Sequence, residues 1–294
     1  MPALGTPALL RHNPYRIDGP ALVSFSGGRT SGYMLAQILD AWDGRLPDDV
    51  HVVFANTGKE MPETLDFVSA CGDRLGVRIV WLEWRAGAEG QRDGFEVVNH
   101  NSAARNGEPF KALIDRRGFL PNPVTRFCTA DLKIKTMQRY MQSVADGWWN
   151  VVGLRADEQR RVARMRANAD LRAGCAGNVL PLADAGATVT DVGAFWACQP
   201  FDLALPAHGG KTPLGNCDLC FLKGAATIFG IVRDRPDLAE WWIKAEAEAR
   251  ASAPNGAVFR QDRPSYAALL RIAQDQGDLF CGFDDTSLPC GCHD

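Results

Sequence analysis

Residues 21–31, Ala-Leu-Val-Ser-Phe-Ser-Gly-Gly-Arg-Thr-Ser, constrain the fold more than any other stretch of this chain. A short apolar run ends in paired glycines, and beyond them Tyr33, Met34, Gln37, Ile38 and Trp42 recur at spacings of three and four. That order predicts a buried strand, a tight loop and an amphipathic helix. Residues 50–55 repeat the apolar run and close on Asn56-Thr57-Gly58. A helical pattern follows over 62–75, then a third apolar run over 77–84. Strand and helix alternate, so the expectation is an α/β fold with a doubly wound parallel sheet.

The glycine loop also has a chemistry. Glycines let backbone N–H groups approach an anion, and a helix N-terminus adds partial positive charge. Ser26, Thr30 and Ser31 add hydroxyl donors for phosphate oxygens. The loop has neither the lysine of a Walker A motif nor a G-x-G-x-x-G pattern.

Downstream, residues 86–126 are rich in Gly, Asn, Arg and Asp and read as a long, partly helical excursion. A helix is expected over 132–145 and a fourth strand over 149–154, whereas the Arg-rich stretch 156–178 reads as a mobile loop. Further helices are expected over 190–198, 224–233, 236–252 and 265–274. The division that results is a nucleotide-binding α/β domain over 1–200 and a helical, cysteine-rich lobe over 201–294.

Hydrophobic residues make up 46% of the 294 and charged residues 23%, the balance of a soluble globular protein. The net charge of −3 gives no global electrostatic case for nucleic acid. No apolar run approaches the roughly 20 residues that span a bilayer, and residues 1–20 hold no continuous apolar segment, so a cytoplasmic location away from membranes is expected. In a reducing compartment nine cysteines point to metal or redox chemistry. Cys71 and Cys175 stand alone and read as incidental. Cys128, then Cys198, Cys217 and Cys220, then Cys281, Cys290 and Cys292 form groups. Cys217-Asp-Leu-Cys220 places two thiolates at one corner of a metal, zinc or iron–sulfur, with no histidine at zinc-finger spacing. The pairs Trp148-Trp149 and Trp241-Trp242 read as core or interface residues.

Several strings together carry a family resemblance. Ser24 to Ser31 resembles the PP-loop of ATP pyrophosphatases, a group that includes phosphoadenylylsulfate (PAPS) and adenylylsulfate reductases and thiolation enzymes. Residues 53–64, Val-Phe-Ala-Asn-Thr-Gly-Lys-Glu-Met-Pro-Glu-Thr, look like the second-strand motif of the reductases, with Asn56 where Asp is usual. Val152-Gly-Leu-Arg155, with Arg160 and Arg161 after it, resembles their Gly-x-Arg loop, and Arg126-Phe-Cys128-Thr-Ala-Asp-Leu-Lys-Ile-Lys135 their cysteine motif. The resemblance covers residues 21 to about 225.

It implies an adenine nucleotide, ATP with Mg2+ or an adenylyl-sulfate nucleotide, at the carboxyl ends of the strands. Ser24, Ser26, Gly27, Gly28, Arg29, Thr30 and Ser31 would hold the phosphates, Asn56, Thr57 and Gly58 would lie beside the adenosine, and Arg155 would fork onto a phosphate or sulfate. It also implies a 4Fe-4S cluster on Cys128, Cys217 and Cys220, with Cys290 supplying a thiolate in place of the one lost at Thr129 and Cys198 or Cys281 in reserve. Cys292 is then left for catalysis. Pro289-Cys-Gly-Cys-His293 is also similar to the reductases' nucleophilic tail, so Cys290 as nucleophile stays open. The string Cys-Thr-x-x-Leu-Lys-Ile looks closest to the DNA-phosphorothioation branch, which implies sulfur transfer onto a nucleic-acid or nucleotide acceptor, a sulfur-donor or reductant protein, and possible self-association. The runner-up is an adenylylsulfate or PAPS reductase, and the third reading a nucleotide-binding regulator with structural zinc.

Overall fold

Strand β1 (Ala21–Ser24) is buried at every residue, as a central strand covered on both faces must be. The computed structural model describes residues 13–167, 174–252 and 258–275. Around β1 lie β2 (Val50–Asn56), β3 (Ile79–Arg85), β4 (Gly94–Val98), β5 (Trp148–Val152) and β6 (Cys175–Val179). They form one sheet in the order β4-β3-β2-β1-β5-β6. Every pairing is parallel except β3 with β4.

The helices are α1 (Arg29–Ala41), α2 (Pro62–Leu75), α3 (Glu108–Arg117), α4 (Thr136–Val144), α5 (Gln159–Ala167), α6 (Pro181–Asp184), α7 (Val189–Ala197), α8 (Ala225–Asp234), α9 (Ala239–Ser252) and α10 (Tyr266–Asp275). A π-helical stretch, Cys128–Lys135, runs directly into α4. The α/β class and the parallel, doubly wound sheet are as expected, and helices follow it toward the C-terminus. Among the described residues no helix is long and apolar enough to cross a membrane.

Two elements differ from the sequence reading on the sheet's edges. β4 lies inside the long excursion and β6 inside the stretch read as a mobile loop, whose first part is the helix α5. Two large apolar clusters dominate the interior. One joins Val23, Leu35, Phe54, Val68 and Trp196, packing α1, α2 and α7 on the sheet. The other joins Trp84, Phe110, Leu132, Phe221, Trp242 and Tyr266, fastening α8 to α10 against α3 and the π-helical stretch. Trp148 and Trp242 are core residues, while Trp149 is 41% exposed. Cys71 is fully buried, and burial pushes its thiol up to about 12.

The chain places β2 and β3 on one side of β1 and β5 and β6 on the other. The sheet therefore reverses its winding between β1 and β5. Open α/β sheets bind ligands in the crevice outside the strand ends at such a point.

Candidate functional site

Two loops leave the sheet at this crevice. The first, Phe25 to Gly28, follows β1. Gly27 turns it at φ +81°, and a Cβ there would sit 2.8 Å from Cγ2 of Thr64. Gly28 is the N-cap of α1 at φ −100° and ψ 165°, and no side chain caps the helix. The first turn also lacks acidic residues, so its N–H groups remain available for an anion. Ser31 Oγ donates to the Gly28 carbonyl at 2.9 Å and accepts from Ser26 Oγ at 3.1 Å, which fixes the loop.

The second loop follows β5 and carries Arg155. Its Nη1 donates to Thr30 Oγ1 at 3.0 Å, and its Nε to Asp157 at 3.0 Å. Glu158 accepts the Arg155 backbone N–H at 3.0 Å and pairs with Arg161. Arg155 thus spans the reversal point and touches the first turn of α1.

Between these loops and the segment 189–227 lies a cleft of about 1040 Å³. Ser26, Gly27, Gly28, Arg29, Thr30 and Arg155 line one side; Lys211, Thr212, Asn216, Cys220, Lys223 and Thr227 line the other. A cavity of this size accepts a nucleotide with room for a second reactant. Thr64 also lines it, and its buried hydroxyl has no hydrogen-bond partner. On the far wall the sequence singled out Cys220, while most of the rest was not legible because it is irregular chain brought in from a distance.

Other expected site residues are engaged in contacts within the protein. The Arg29 side chain forks onto Asp202 at 2.7 and 2.8 Å, bracing the far wall against α1. Ser24 is buried at the end of β1, 3.9 Å from the Met137 sulfur. Asn56 and Thr57 are buried and are not among the cleft's lining residues. Asn56 Nδ2 donates to Glu83 at 2.7 Å and to the Ala104 carbonyl at 2.9 Å, while its Oδ1 accepts the Gly58 N–H at 3.1 Å. An amide is the suitable group here, since an ionised Asp would face the buried Glu83 carboxylate with nothing to donate. Thr57 donates to Glu60 at 2.8 Å and lies 3.5 Å from the Cys217 sulfur.

The thiols do not build a cluster site among the described residues. No group of three or more His, Cys, Asp or Glu side chains there could hold a metal ion. Cys128, Cys217 and Cys220 all border the second apolar cluster, but they do not converge as a ligand set. Cys290, Cys292 and Cys281 lie outside the described residues, and Cys198 is exposed. Mg2+ needs no protein cage, because it is commonly held by substrate phosphates and water.

A donor-lined cleft large enough for a nucleotide, at the winding reversal of a mostly parallel sheet, defines a nucleotide-binding α/β enzyme class. The particular family follows from sequence comparison. Residues 20–188 match the phosphoadenosine phosphosulfate reductase domain, and the chain belongs to that family, within the PP-loop ATP pyrophosphatase superfamily. It is also 31% identical over 222 residues to the uncharacterized nin region protein ORF290 of Escherichia phage lambda, a match covering 74% of this chain and 71% of that one. The matched domain ends at residue 188, so most of the far wall lies beyond it.

Proposed function

We propose that this enzyme binds ATP with its phosphates on residues 26–31 and adenylates an oxygen of an acceptor, which a sulfur nucleophile then attacks with loss of AMP. The observation that carries this is the uncapped N-terminus of α1 facing Arg155 across the crevice. Pyrophosphate gains charge as it departs, and donors already fixed in the cleft stabilise that charge without reorganising. The helical N–H groups and Arg155 are such donors, and Arg155 is held ready by Thr30, Asp157 and Glu158. Space beside the nucleotide would admit the acceptor. Arg160 and Arg164 on α5, with no acidic residue in that helix, favour an anionic one such as nucleic acid.

Reduction of adenylyl sulfate or PAPS is the second reading, and the family match favours it. The two chemistries release different products. Incubation with ATP and Mg2+ should give AMP and pyrophosphate when acceptor and sulfide are supplied. Sulfite and AMP, or its 3′-phosphate, formed from the sulfated nucleotide with a thiol reductant would replace the first reading by the second. Failure to bind any adenine nucleotide would sink both.

A further inference from the structure

We propose that Cys217 and Cys220 are a redox-active dithiol set in the wall of the cleft, exchanging electrons with an external dithiol or disulfide. The Cys220 N–H donates to the Cys217 carbonyl at 3.3 Å, closing a tight four-residue turn. Such a turn holds its end Cα atoms within about 7 Å, a span that overlaps the roughly 4.4–6.8 Å of a disulfide. No disulfide joins them in this structure.

The turn is held from several sides. Lys223 Nζ donates to the Cys217 and Asp218 carbonyls at 2.8 and 2.7 Å. Asp218 pairs with Lys59 at 2.8 Å and accepts from Trp242 Nε1 at 2.8 Å. Tyr266 donates its hydroxyl proton to the Leu219 carbonyl at 2.6 Å. These contacts fix the backbone of the turn.

The two thiols face different surroundings. Cys220 lines the cleft opposite the glycine loop and is 8% exposed. Cys217 is half-buried, is not among the cleft's lining residues and has its sulfur against Thr57. Cys217, the more exposed of the two, is the point of entry for an external disulfide, and Cys220 the thiol that serves the cleft. Oxidation runs in two exchanges. The Cys217 thiolate attacks a small disulfide, forming a mixed disulfide and releasing one thiolate. Cys220 then gives up its proton and attacks the Cys217 sulfur, closing the 217–220 bond and releasing the second thiolate. An external dithiol reverses both exchanges and returns two electrons to the pair.

The test is anaerobic titration of the reduced full chain with oxidised glutathione, followed by peptide mass mapping. Wild type should form a disulfide within the peptide holding Cys217 and Cys220, reversible by dithiothreitol. Cys220→Ser should stop at a glutathione adduct on Cys217, formed at near wild-type rate. Cys217→Ser should be modified at Cys220 at least tenfold more slowly. A wild-type chain that keeps a stable glutathione adduct, or joins either cysteine to a different one, overturns the proposal. So does co-purifying iron or zinc whose removal is needed before either thiol reacts. Nucleotide binding is measured separately, and its loss would bear on the cleft's ligand without touching this result.

Discussion

At the scale of single residues, the two adjacent glycines of the phosphate loop have separable roles. Gly27 has a left-handed backbone and lies against Thr64, Val68 and Phe54. Gly27→Ala should destabilise the protein by about 1–3 kcal/mol, measured by urea unfolding. Gly28 has extended angles that any residue adopts. Gly28→Val should leave the unfolding midpoint within error yet abolish ATP binding by calorimetry, and unchanged affinity would refute the phosphate-loop assignment. Asn56 gives a third case. Asn56→Asp places a second carboxylate against Glu83, which is 1% exposed, and should cost about 2–4 kcal/mol. The family's usual aspartate is therefore not a neutral exchange in this chain. Arg155 and the glycine loop could be read from sequence because conformational freedom and charge are properties of the residues themselves. The structural duties of Asn56 and Arg29 could not, since Glu83 and Asp202, their partners, are distant in the chain.

At the scale of elements, legibility followed burial. β1, β2, β3 and β5 are mostly buried and show as apolar runs. β4 and β6 are edge strands with one buried residue each, so they carry no such run. Gly177 within β6 adds a turn-like signal. The helix α5 was hidden by its arginines, since Val162 is its one buried residue. The π-helical stretch has no period that sequence reading looks for, and an ion-pair network fixes it. Burial opposes ionisation of Asp131, but Lys135 at 2.7 Å and Arg117 outweigh it and hold the carboxyl below the usual carboxylate range. A folded-state value below the unfolded one stabilises the fold above about pH 4 and loses that contribution as pH falls through the folded value. Asp131→Asn should therefore flatten the acid limb of a stability-versus-pH curve. An unaltered limb would show that the network carries no linkage.

At the scale of the whole molecule, one buried ion pair joins the two ends of the fold. Lys59, just after β2, meets Asp218 at 2.8 Å, with side chains 8% and 5% exposed. Lys59→Met leaves that carboxylate without its cation and should cost about 3–5 kcal/mol. Amide exchange should quicken across α8 to α10 more than across β1 and β2; uniform quickening would show that the pair does not couple them. The same long reach governs when the cleft comes into being. Its phosphate loop lies near residue 26 and its far wall ends near residue 227, so on a ribosome moving at about 5–20 residues per second the two are made roughly 10–40 seconds apart. Through that interval a nascent chain can display the glycine loop without the wall that encloses a ligand. Nucleotide capture is thereby deferred until the chain has been made as far as residue 227.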